Sequence, residues 1–64
     1  MLKFVFRGVW VTQNGHTLTH LYRRIESNRK DAEYRAEEFF KWFDKKLPDT
    51  YEFIGYDLVK VEAI

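Results

Sequence analysis

One stretch decides what this chain can build. Asn28 to Leu47, NRKDAEYRAEEFFKWFDKKL, is the single segment long enough, and free enough of Gly and Pro, to make a helix of several turns. At 3.6 residues per turn, Ala32, Ala36, Phe39, Phe40, Phe43 and Leu47 fall within roughly 100° of one another and form one apolar stripe. Ser27-Asn28 offers an N-cap, and Asp31 sits where it can answer the cap. Lys45 and Lys46 complement the helix dipole in the last turn. Pro48 ends the helix, because the residue before a proline is pushed out of the α region. A lone amphipathic helix must bury its stripe against something, and everything on either side of it reads as strand.

Residues 2–12, LKFVFRGVWVT, are rich in aromatic and β-branched types and carry the first strand. Its two faces are Leu2, Phe4, Phe6, Gly8, Trp10 and Lys3, Val5, Arg7, Val9, Val11. Asn14-Gly15 between two apolar runs is the strongest short-range hairpin signal and predicts a type I′ turn. Taken as a two-residue loop, it pairs Gln13 with His16, Val11 with Leu18, Val9 with His20, Arg7 with Tyr22 and Phe4 with Ile25. The second strand then runs from His16 to Glu26. The third runs from Tyr51 to Ile64, with Gly55 marking a bulge or bend. The order is β-β-α-β, a single α+β domain over residues 1–64. The right-handed strand–helix–strand crossover makes the third strand parallel to the second, so the simplest sheet is antiparallel throughout, in order 2-1-3. A helix of about 19 residues spans roughly 28 Å, close to the length of an eight-residue strand, so the two layers match.

So small a domain needs a staple or an unusually effective core. There is no Cys, which removes disulfides and thiolate metal sites and fits a cytoplasmic protein. Six Phe, four Tyr and two Trp supply the core instead. No apolar run approaches the ~20 residues that span a bilayer, and the N-terminal MLKFVFRGVW has Lys and Arg inside its apolar stretch, so no membrane partner or signal peptide is expected. Eleven basic residues against ten acidic ones give a net charge of +1. The charge is unevenly placed: Arg23, Arg24, Arg29 and Lys30 cluster, while Glu33, Glu37, Glu38 and Asp44 load the helix.

One face of the sheet must meet the helix, and the predicted register puts Leu2, Phe4, Phe6, Trp10, Leu21 and Ile25 there. The other face should be polar. It carries Val5, Val9, Val11, Leu18 and Tyr22, joined by Ile54, Tyr56 and Leu58, with Lys3, Arg7, His20, Arg24 and Lys60 among them. A contiguous apolar patch on a small protein marks an interface. Val5, Arg7, Val9, Val11, Leu18, His20, Tyr22 and Arg24 are therefore the candidate partner-binding residues. The expected partner is a protein, either another chain or a second copy in a homodimer, since a two-layer core this small gains from doubling. Two blander accounts remain: a register slipped by one residue, or long basic side chains covering the valines.

Other chemistry finds less support. Tyr34, opposite the helix stripe, reads as a lone surface aromatic, and Trp42, beside Arg35 and Lys46, as packing at the sheet margin. His16 and His20 lie about 13 Å apart on a strand, and neither has a ligand-spaced Cys, His or carboxylate, so no metal and no cofactor is expected. The carboxylates sit on a solvated helix face, Ser27 reads as a cap, and no glycine-rich phosphate loop is present. We expect no enzyme. The alternative is nucleic-acid binding: Arg7, His20, Tyr22 and Arg24 on one face would interleave base-stacking rings with phosphate partners. A net charge near zero weakens the electrostatic attraction such binding depends on.

In element order, and in the strand-to-helix passage LYRRIESNRKDAEYRAEEFFKWF, the chain resembles the very short β-β-α-β proteins encoded by tailed phages. Several of those bind and inhibit a host enzyme, one of them bacterial RNA polymerase. The resemblance covers nearly the whole chain as an arrangement of elements and carries no functional residue over. It implies a modulator of a host protein, with an open edge strand, the second or the third, as its docking rail.

Overall fold

β1 (Leu2–Thr12) lies at the middle of the molecule and is flanked by β2 (Thr17–Glu26) and β3 (Tyr51–Ala63), with α1 (Arg29–Lys46) between β2 and β3 in the chain. The computed structural model describes residues 1–64. The three strands form one antiparallel sheet in the order β2-β1-β3 with the helix on one face, so the α+β, β-β-α-β architecture is the one the sequence predicts.

The helix ends where its capping chemistry puts them. Asn28 is extended (φ −147°, ψ 163°), and its Oδ1 accepts the Asp31 N–H at 2.9 Å while its Nδ2 donates to Asp31 Oδ2 at 3.2 Å. Leu47 has left the α region (ψ 153°) ahead of Pro48, and its N–H donates to the Asp44 carbonyl at 3.2 Å. Of the predicted stripe, Ala32, Ala36 and Phe40 are buried, and Phe39, Phe43 and Leu47 pack around them half-buried.

Phe4, Phe6 and Trp10 of β1 complete the core. Gly8 lies between them in the alternation, and the Phe40 ring rests on its backbone. A Cβ at Gly8 would stand 2.6 Å from Phe40 Cε1, inside van der Waals contact, so the absent side chain is what admits the ring. Trp10 sits at the hub, its ring 5.1 Å from Phe43 and 5.0 Å from Phe53, edge-on to Phe40 at 6.0 Å. Its indole N–H donates to Asp44 Oδ1 at 3.0 Å, so the deepest polar group is satisfied.

The hairpin corrects the predicted register. Thr12 N–H donates to the His16 carbonyl at 2.9 Å, and Gly15 N–H donates to the Thr12 carbonyl at 3.0 Å. The loop is therefore Gln13-Asn14-Gly15, a turn closed by Gly15 at φ 83°, with the Thr12 hydroxyl accepting the His16 N–H at 3.1 Å. The extra loop residue pairs Val11 with Thr17, Val9 with Thr19, Arg7 with Leu21 and Phe4 with Arg24. Since side chains alternate, a one-residue shift turns every β2 side chain to the other face. β3 carries the expected irregularity at Gly55, where its register shifts between Val9 and Trp10, and a second shift between Val5 and Phe6 that leaves Val59 as the added residue.

Candidate binding surface

The shift divides the predicted partner-binding residues between the two faces. Val5, Arg7, Val9 and Val11 lie on the face away from the helix. Leu18, His20, Tyr22 and Arg24, predicted to join them, lie on the helix side instead. There Tyr22 stacks on Phe39 with ring centres 4.5 Å apart, and His20 stacks on Phe43 at 4.4 Å. Arg24 donates to Glu26 Oε2 at 2.7 Å on that same side. Tyr56 and Leu58, also predicted outward, pack against the core, with the Tyr56 ring 5.5 Å from Phe40. Burial pushes the Tyr56 hydroxyl above the ordinary tyrosine value, and Glu37 and Glu33 nearby push the same way.

Leu21 and Ile25, predicted to lie under the helix, are on the open face and exposed. Pattern alone could not choose between the β2 faces, because Leu18 and Tyr22 balance Leu21 and Ile25. The available signal was aromatic: a helix flank ending in Phe39 and Phe43 matches rings better than it matches Thr17 and Thr19.

Across β2, β1 and β3 the open face reads, row by row, Ile25–Lys3–Glu62, Arg23–Val5–Lys60, Leu21–Arg7–Asp57, Thr19–Val9–Gly55 and Thr17–Val11–Glu52. Ion pairs tie the β1–β3 half together: Lys3–Glu62 at 3.2 Å, Arg7–Asp57 at 3.3 Å and Lys60–Glu62 at 3.5 Å. The Lys3 hydrogen bond, with Lys60 adding charge, holds the Glu62 carboxyl below the usual range. Val5 is only 6% exposed although no helix covers it, because Arg23 and Lys60 flank it on the neighbouring strands. Leu21 and Ile25 on one margin and the bulge residues Ile54 and Val59 on the other are exposed aliphatics. The face is thus a central row of Lys3, Val5, Arg7, Val9 and Val11 between an aliphatic margin bearing Arg23 and a mixed margin of Glu52, Asp57, Lys60 and Glu62.

This arrangement weighs against base stacking. The rings meant for that role are stacked on the helix, and Lys3, Arg7 and Lys60 each have a carboxylate partner, leaving Arg23 as the cation of this face without one. No three His, Asp or Glu side chains converge as metal ligands would, and no cleft opens into the molecule. No helix is long and apolar enough to cross a membrane. Compared with protein families, with curated proteins and with solved structures, the chain matches none.

Proposed function

We propose that this chain is a small protein-binding module that self-associates through the open face of its sheet. One observation carries the reading: a sheet covered by a helix on one side keeps half-buried Val9 and Val11 in its middle, next to the buried Val5, and Leu21, Ile25, Ile54 and Val59 at its margins on the other. The strands, about 37 Å long and about 4.8 Å apart, present roughly 500 Å² per copy. Two copies bury on the order of 1,000 Å², the lower limit for a specific interface, so the dimer is weak and dilutes apart. A twofold axis along β1 sets the valine rows of the two copies over each other and β2 of one copy over β3 of the other. In the phage-protein form of this reading, the face or an edge of the sheet docks on a host enzyme instead.

Val9→Lys tests it. Val9 lies between Thr19 and Gly55 on the open face, so a lysine there is solvated in the monomer but stranded without a partner in an interface core. The variant should keep its far-UV circular dichroism and sediment as a monomer at concentrations where the natural chain dimerises. Unchanged association in the folded variant overturns the reading. So does an interaction with other molecules that nuclease treatment abolishes.

A further inference from the structure

The two edges of the sheet are not equivalent. Thr12 and His16 form a hydrogen-bonded pair, and in an antiparallel ladder such pairs alternate with pairs whose backbone groups point away. On β2, Thr17, Thr19, Leu21, Arg23 and Ile25 therefore turn their N–H and C=O groups outward, at a regular period of two and with no Gly, Pro or bulge among them. On β3 the corresponding residues are Tyr51, Phe53, Tyr56, Leu58, Val61 and Ala63, and the period breaks twice, at Ile54-Gly55 and at Val59-Lys60. An incoming strand can run the length of β2 but falls out of step on β3 at each bulge. Bulges are a common device for closing an edge to pairing. β3 has two and β2 has none.

A second asymmetry lies above the edges. Arg35, Phe39, Trp42 and Lys46 follow one another at helical spacing along the flank of α1 that overlooks β2, as the Phe39–Tyr22 stack shows. Trp42 is 55% exposed, its ring 6.0 Å from Phe39 and 5.4 Å from the Lys46 ammonium. Arg23, Arg35 and Lys46 make no ion pair, whereas Glu33 and Glu37 on the opposite flank stand near Tyr56 of β3. The unblocked edge thus has Arg23 on its open side, Arg35 and Lys46 on its helix side, none with a carboxylate partner, and an exposed indole, the residue type that anchors interfaces most often.

From these two observations we infer that the β2 edge is a docking rail for an acidic, extended segment of another protein, which adds as a further strand and seats an apolar side chain against Phe39 and Trp42. The main-chain ladder supplies affinity, and the indole shoulder and the cations supply selectivity. A second copy of β2 is a poorer occupant, because its own Arg23, which has no carboxylate partner, would meet the same cations. This goes beyond self-association through the open face and uses a different surface, so either can fail alone.

The test is a titration of isotope-labelled protein with an acetylated, amidated peptide that has threonine at every second position and valine and glutamate taking turns between them, so that both types fall on the helix side. The expected result is slowed amide exchange and shifted resonances at Thr17, Thr19, Leu21, Arg23 and Ile25, with β3 unmoved. Replacing the peptide's glutamates by lysines, or the protein's Trp42 by alanine, should weaken binding by about tenfold or more. N-methylating alternate peptide amides should abolish binding on the face-to-ladder side without touching the protein. Thr19→Pro should do the same from the protein's side, since that amide is unused in the fold and proline is tolerated on an edge. Val9→Lys should leave peptide binding unchanged. The inference is overturned by no binding, by binding indifferent to N-methylation, by perturbations centred on β3, or by loss of peptide binding in folded Val9→Lys.

Discussion

The two faces of this sheet share one strand and differ in almost everything else. Toward the helix, β1 presents Phe4, Phe6, Gly8 and Trp10, and rings from all four elements close over them with one hydrogen bond, Trp10 to Asp44, at the centre. Away from the helix the same strand presents Lys3, Val5, Arg7, Val9 and Val11, held by cross-strand ion pairs and flanking aliphatic stems. The first face is stabilised by area removed from water and by shape, so it should respond steeply to lost volume. The second is stabilised by pairs that remain half in solvent, so it should respond weakly and bear charge changes. A small domain thereby concentrates its stability in one layer and leaves the other open.

The largest effect should come from the covered face. Phe40 is fully buried at the centre of the stripe, and Phe40→Ala should cost about 3–5 kcal/mol, most of what a domain this size has. A circular-dichroism melt losing only a few degrees would show that the helix stripe is not where the stability lies. Next comes Gly8→Ala, which adds a single methyl 2.6 Å from a ring hemmed in by Trp10, Tyr22, Phe53 and Tyr56. Overpacking of that kind should cost about 1–3 kcal/mol in urea unfolding, and a neutral result would mean that the ring can move aside.

Val5 sharpens the comparison because it is buried on the open face. With only flanking chains above it, and those able to settle into the gap, Val5→Ala should cost about 1–1.5 kcal/mol by the same unfolding measurement. A loss as large as that of Phe40→Ala would make the open face a second core. Arg7→Met removes a pair whose side chains are half exposed and should change stability by less than about 1 kcal/mol.

The smallest effect is a titration. Glu62 should protonate below the ordinary glutamate value of 4.5 when its carboxyl is followed by NMR, and Lys3→Met should move it back toward that value. Because the folded state lowers this value, the contribution is complete above the ordinary glutamate value and drains away as pH falls through the lowered one. A Glu62 midpoint at the ordinary glutamate value would mean that the triad with Lys3 and Lys60 does not hold in solution.

What could be read in advance follows the range of the interactions involved. The Asn28 cap, the Pro48 stop, the helix stripe and both faces of β1 depend on spacings of a few residues, and the structure keeps them all. The order β2-β1-β3 follows from one crossover: the helix returns the chain so that β3 runs parallel to β2, and β1 between them keeps every pairing antiparallel. The candidate surface was legible only in its β1 half, Val5, Arg7, Val9 and Val11. Its β2 half, Leu21, Arg23 and Ile25, was misplaced, because Asn14-Gly15 suits a two-residue loop and a three-residue loop almost equally well.

The amino-acid sequence by itself therefore determined the elements, their order and the two sides of the central strand, since these rest on local backbone chemistry and on alternation within single segments. Only the tertiary structure decided which side of β2 is open. That choice turns on one residue of loop length, worth little locally, and it is made by side chains far apart in the chain: Tyr22 and His20 find Phe39 and Phe43, and the arginine, leucine and isoleucine between them are left facing out.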